Sequence, residues 1–175
     1  MNCPTCGHDN LPGEDHCAEC HTDLRHEDVF TPKNGFQQDI LTNTLEILCT
    51  HPPTTVGEST SIREILTLMR TKKVGSVVVG TQEPFAGIFT ERDALYKIAG
   101  QDVDLDKTTV GELMTPDPTT LQVDKPIAAA LHAMSVGEFR HLPLVKDGKL
   151  VEILAIHDIL GYLHTQISQM GAKVE

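Results

Sequence analysis

Basic residues are scarce in this chain: lysine and arginine number 14 against 25 aspartates and glutamates, and the formal charge at pH 7 is −11. A surface of that sign repels a phosphate backbone, so nucleic acid is disfavoured as a partner. Long hydrophobic runs are missing too. Nothing approaches the ~20 consecutive apolar residues of a membrane span, and the longest β-branched run is Val77-Val78-Val79. Met1 and Asn2 leave no room for a signal peptide before Cys3, and no apolar stretch follows; a cytoplasmic protein is expected. Also absent are the phosphate cradle GxxxxGK[ST], the dinucleotide GxGxxG, the metalloprotease HExxH and the nucleophile elbow GxSxG. No nucleophile or acid–base constellation emerges, so no catalysis is expected. What remains, 175 residues of which 39% are hydrophobic, suits one substantial domain with a small appendage.

The five cysteines are few but unevenly placed. Cys3, Cys6, Cys17 and Cys20 form two CxxC pairs separated by ten residues. Two thiolates on a tight turn point inward, and two such turns complete the tetrahedral sulfur shell that Zn²⁺ prefers. Gly7 gives the first turn freedom to curl under a metal. A pair of disulfides is the alternative; a cytosolic setting favours metal. Iron suits the same four sulfurs. So short a segment, with almost no apolar content, cannot build a core, so a metal must supply its folding energy. His8, His16, His21 and His26 are expected at the surface, and Cys49 is expected to be a small buried apolar residue. Through Arg25 the segment carries Asp9, Glu14, Asp15, Glu19 and Asp23 against one base and no aromatic residue. Four thiolates on Zn²⁺ add about two more negative charges.

Thr22 to Lys33 is polar, with Pro32 and Gly35 as breakers, and reads as a linker. Ile40, Leu41, Leu45 and Leu48 then predict a helix over 37–49, ended by His51-Pro52-Pro53. Beyond it the chain repeats with a shift of 65 residues and no gap. Pro53-Thr54-Thr55 falls on Pro118-Thr119-Thr120, Ile62 on Ile127, Met69 on Met134, Ile88 on Ile153, and Asp93 on Asp158. Each copy reads as β-α-β-β-α. The first has a strand Thr54–Val56, a helix Ile62–Arg70, strands Gly75–Val79 and Phe85–Phe89 around a Gln82–Pro84 turn, then a helix from Glu91. The second has Thr119–Val123, Ile127–Ser135, His141–Val145 and Leu150–Ala155 around Asp147-Gly148, then a helix from Ile156.

This order of elements, together with Met114-Thr115-Pro116, Arg140-His141-Leu142-Pro143 and Gly87-Ile88-Phe89-Thr90-Glu91-Arg92-Asp93, resembles a tandem pair of cystathionine-β-synthase (CBS) domains over residues 51–165. The resemblance implies an α/β fold of two side-by-side repeats with two clefts between them. In that family the clefts commonly hold AMP, ADP, ATP or S-adenosylmethionine, and members usually pair into homodimers. The expected organisation is a zinc ribbon over 1–26, a linker and helix over 27–50, one repeat over 51–110, and a second with a C-terminal helix over 111–175.

The resemblance places one cleft at Thr90 and Asp93, where a strand runs into a helix and outward N–H groups favour an anion or an oxygen-rich ligand. A carboxylate there accepts from ribose hydroxyls. Thr119 and Thr120 lie on the entering strand of the partner repeat. Arg140 offers a forked phosphate donor, and His141 and His157 add donors. Ile88 and Pro143 would flank adenine. Thr90-Glu91-Arg92-Asp93 also matches a capping box, in which Asp93 reaches back to a backbone N–H; the two roles use different lone pairs. A second, poorer cleft would use Thr54, Thr55, Ser76, Arg92 and Asp158. There Ala155 replaces Thr90, Glu152 replaces Gly87, and Gly75-Ser76 replaces Arg140-His141. Met69 and Met134 belong to the core, Lys72-Lys73 to a solvated helix end, and Asp102–Lys107 to a solvated connection without the glycine and glutamate of a calcium loop. The function expected is a non-catalytic regulatory, signal-transducing module that senses an adenosine nucleotide and relays it to the ribbon or a protein partner. A zinc-dependent adaptor using the repeats as a dimer scaffold, and a nucleic-acid-binding regulator, are the rivals.

Overall fold

The computed structural model describes residues 3–24 (apart from 4, 12 and 13), 35–80 and 85–171. Most of the expected linker, the Gln82–Pro84 turn and His26 lie outside the described residues. In chain order come α1 (Gly35–Thr42), a 3-10 turn (Leu45–Leu48), β1 (Thr55–Val56), α2 (Ile62–Lys72), β2 (Ser76–Val79) and β3 (Gly87–Thr90). Then follow α3 (Glu91–Lys97), α4 (Val110–Leu113), β4 (Thr115–Pro116), β5 (Leu121–Gln122), α5 (Ile127–Val136), β6 (His141–Lys146), β7 (Lys149–Ala155) and α6 (Ile156–Gly171). The fold is mixed α/β with two small sheets, ordered β1-β2-β3-β4 and β5-β6-β7. No helix among the described residues is long and apolar enough to cross a membrane.

Two compact units share the chain. One comprises Met1–Thr50, Leu121–Leu142 and Leu154–Glu175; the other comprises His51–Thr120 and Pro143–Ile153. In the second of these, β1 runs parallel to β2, with Val56 opposite Val79, and β3 runs antiparallel, with Ile88 opposite Val78. A parallel pair needs a crossover, and α2 supplies it. Ser61 and Glu64 cap the start of α2 reciprocally, while Lys73 closes its end in the left-handed region at φ 55°. Ile62, Ile65 and Met69 then line one face, as their spacing predicts, and pack with Val56, Val77, Val79, Phe89 and Val110. Arg63 Nη2 donates to Asp106 Oδ2 at 2.9 Å, tying the acidic connection to α2. Both side chains are more than half exposed, so the pair contributes little stability.

In the other unit the expected single helix over 37–49 is instead α1 followed by the short 3-10 turn. The break has a physical cause. Leu45 N and Glu46 N donate to Lys125 O and Val123 O, and Asn43 O accepts from Ile127 N. Backbone groups that would continue the helix are spent on the segment entering α5. Cys49 is correspondingly half-buried, not buried as expected, and lies on the exit of that turn. Met134 is buried on α5 beside Ile127, Ala129 and Ala130. Asp147 and Gly148 both adopt positive φ, 51° and 75°, the pattern of a two-residue hairpin turn.

Ile65→Ala empties a fully buried site and should cost about 2–5 kcal/mol. Ser61→Ala removes only a cap and should cost about 1 kcal/mol. Urea unfolding of both variants tests this ordering, and equal costs would contradict it.

Candidate functional site

Asp93 is 7% exposed, an unusual place for a carboxylate unless partners meet it. Its Oδ2 accepts from Thr90 N at 2.9 Å and Thr90 Oγ1 at 2.7 Å. Its Oδ1 accepts from Thr115 Oγ1 at 3.0 Å and pairs with Lys97 Nζ at 2.7 Å. Burial opposes ionisation, but Lys97 and Thr90 outweigh it and hold the carboxyl below the usual carboxylate range. A carboxylate offers about four acceptor positions, and here all four are taken. Asp93 therefore both closes the cap of α3 and fastens α3 to the start of β4.

Gly87 makes that fastening possible. A Cβ on it would lie 2.6 Å from both Met114 Sδ and Thr115 O, so only glycine lets β4 approach β3 this closely. Lys97 Nζ also donates to Leu113 O at 2.7 Å. The sequence alone marks neither Lys97 nor Thr115 as a partner of Asp93. Lys97 was within reach of such reasoning, since it stands four residues along the same helix; Thr115 arrives from a distant strand and carries no local signal.

The other expected residues are distributed as follows. Ile88 and Pro143 are buried, whereas Thr119 and Thr120 are exposed. These four belong to the same unit as Thr90 and Asp93, while Arg140, His141 and His157 belong to the other. Arg140 and His157 are exposed. Of the second expected set, Ser76 is buried, Thr54 is half-buried, and Thr55 and Arg92 are exposed. Asp158 accepts from Ala155 N at 2.8 Å and faces His157 Nε2 at 3.2 Å. The second repeat thus keeps the backbone half of the cap after losing the threonine hydroxyl. Glu152, in place of Gly87, is buried and accepts from His51 N at 2.9 Å.

The cysteines converge. All four Sγ atoms lie within 4.8 Å of one another, and Cys3, Cys6 and Cys17 are buried. Cys3–Cys20 and Cys6–Cys17 are each separated by 3.5 Å, close to the edge of about 3.8 Å in a tetrahedron of Zn–S bonds near 2.3 Å. The two turns are built alike. Cys3 N donates to His8 O and Gly7 N to Cys3 O; Cys17 N donates to Thr22 O and His21 N to Cys17 O. Gly7 and His21 hold corresponding left-handed positions, φ 74° and 58°. Asn10 Nδ2 reaches Cys17 Sγ at 3.6 Å, and Thr22 Oγ1 lies 3.1 Å from Cys20 Sγ. Burial pushes the Cys6 and Cys20 thiols up. At Cys17 burial acts the same way, but backbone donors at Cys20 and Glu19 prevail and bring it down to about 6. A thiophilic cation would offset the cost of ionising the buried thiols. The donor set fits such a cation. His16 and His21 are exposed and His8 is half-buried.

Residues 45–100 and 110–165 each match the CBS domain family. An Arabidopsis thaliana CBS domain-containing protein, CBSCBSPB5, is 33% identical over 122 residues, 69% of this chain, which spans 22% of that relative's length. Among solved structures, the CBS domain protein NE2398 is 26% identical with a TM-score of 0.64, covering 67% of this chain and 95% of that one. The Pyrobaculum aerophilum CBS domain protein PAE2072, complexed with AMP, is 30% identical with a TM-score of 0.61, covering 70% of this chain and 98% of that one. With two matched copies spanning more than half of its length, the chain belongs to the CBS domain family.

Proposed function

We propose that this protein is a non-catalytic, cytoplasmic regulatory module that takes an adenosine nucleotide at Asp93 and holds a zinc ion on Cys3, Cys6, Cys17 and Cys20. The observation that carries the nucleotide reading is the buried Asp93 carboxylate at the junction of β3 and α3, in a family with an AMP-bound relative 30% identical to this chain. Asp93 and Thr90 receive the ribose, with Thr119 and Thr120 as further polar contacts and Ile88 and Pro143 against the base. Arg140, His141 and His157 serve as phosphate donors; their part rests on the family resemblance alone. The poorer set, Thr54, Thr55, Ser76, Arg92 and Asp158, takes at most an adenosine with few phosphates.

The filled state of Asp93 supplies a mechanism for signalling. A ribose brings two hydroxyl donors, so present donors must leave. Thr90 N and Oγ1 belong to the cap of α3 and are costly to lose. Lys97 and Thr115, both on Oδ1, are the ones to yield. Their departure frees the Leu113–Thr115 strand approach, which Lys97 also grips. A ligand that binds the released arrangement better shifts the population toward it. The module passes that change to a protein partner. Exposed Leu95 and Tyr96 on α3, 62% and 72% accessible, favour assembly as a homodimer.

For the zinc-loaded protein, one of AMP, ADP, ATP, NAD or S-adenosylmethionine should raise the melting temperature while GTP does not. At a hundred times Kd the stabilisation is about 2.7 kcal/mol. Asp93→Ala should lose most of it, and an undiminished shift removes Asp93 from the site. Lys97→Met should lower basal stability yet tighten nucleotide binding; weaker binding would make Lys97 a ligand contact instead of a competitor. A flat panel for wild type would favour the zinc-dependent adaptor.

For the metal, one equivalent of zinc per chain is expected, lost in Cys17→Ser/Cys20→Ser. His21→Gly should hold zinc at least as tightly as wild type, because it relieves a left-handed histidine. Gly7→Val should hold it less tightly, because a β-branched residue resists positive φ. Chelator competition tests the order, and the reverse order would contradict the two-turn geometry.

A further inference from the structure

The cysteine cluster does not stand alone. Its apolar neighbours are Leu24 from its own segment, together with Ala129 of α5 and Leu121 of β5. His132, one turn beyond Ala129 on α5, places Nε2 at 2.7 Å from Cys20 O. A carbonyl only accepts, so Nε2 carries the proton and donates. These contacts lie within one compact unit. They involve Cys20, Leu24 and the exit of the second CxxC turn, the very atoms whose positions depend on four sulfurs being held together.

The seat is built for this occupant. Ala129 is 3% exposed, and its small side chain admits the sulfur cluster against the helix. α5 has no side-chain cap at its start and no acidic residue in its first turn. Its entry is held instead by backbone pairing of residues 43–46 with 123–127. The helix, apolar on most of its sides, thus depends on tertiary contacts, as short helices do, and the cysteine segment supplies several of them. The cysteine segment in turn lacks a core of its own and depends on a cation to hold its shape.

We propose that occupancy of the four-cysteine site by a thiophilic divalent cation sets the local stability of α5, through Ala129 and the His132–Cys20 hydrogen bond. The second CBS repeat then has a metal input distinct from any nucleotide input. This rests on the metal reading above and is independent of the nucleotide reading. α5 ends shortly before β6, so metal loss also loosens the approach to that strand. His132 acts here as a positioning residue: it touches neither the cation nor a ligand.

Hydrogen exchange on the full chain, zinc-loaded and after chelation, tests this. Chelation should speed exchange in residues 3–24 and also in Ile127–Val136 by about fivefold or more, the scale of one lost hydrogen bond. The corresponding helix of the first repeat, Ile62–Lys72, should not respond. His132→Ala should still bind one equivalent of cation, read by cobalt substitution and its thiolate absorption, while α5 exchange ceases to follow the metal. His132→Gln, whose amide nitrogen reaches a similar position, should restore the response. If α5 exchange in wild type is unchanged by chelation while cobalt shows a tetrathiolate spectrum, the coupling is wrong and the metal reading stands. If cobalt gives no thiolate spectrum, the metal reading fails and the coupling with it.

Discussion

A buried carboxylate whose every acceptor position is filled constrains much of the first repeat. Asp93 cannot lie within the protein uncompensated, since desolvation opposes its charge. Thr90 answers from the cap of α3, Lys97 from the following turn, and Thr115 from β4. The same contacts that make the charge tolerable join a helix start, a helix end and a strand. Gly87 belongs to this arrangement although it makes no hydrogen bond to Asp93, because its missing side chain is what admits Thr115. The second repeat has the matching aspartate with the backbone donor alone of this set, Ala155 N. Ala155 stands for Thr90, and Tyr162, which stands for Lys97, accepts from Asn43 Nδ2 at 2.8 Å instead.

The cysteine segment meets a different constraint. With little apolar content of its own, it packs Cys3, Cys6, Cys17 and Leu24 against Ala129 of α5. Both CxxC turns use the same pair of backbone hydrogen bonds, and both need a left-handed residue after the second cysteine. The segment's contact with α5 joins the chain's beginning to its second repeat.

Local patterns told most of this from sequence. The helix expected over Ile62–Arg70 is α2, with Met69 in its core as expected; the turn expected at Asp147-Gly148 joins β6 to β7; the CxxC spacing foretells the convergence of four sulfurs. Thr90 and Asp93 read as a cap and are one. What escaped depends on groups far apart in the chain. Apolar spacing over 37–49 predicts one helix, but backbone pairing with residues 123–127 outcompetes its middle. Lys97 stood within reach on helical spacing, while Thr115 and His132 are brought to their partners only by tertiary packing. Cys49 followed the mistaken helix and ends half-buried for that reason.

On the proposed function, a nucleotide reaches Asp93 by displacing donors already there. A crystal structure of the zinc-loaded protein grown with AMP tests it most directly. Ribose hydroxyls are expected on the Asp93 carboxylate, with Thr90 still capping α3 and Lys97 or Thr115 turned away. AMP bound elsewhere, with Asp93 keeping all four of its present donors, would contradict it.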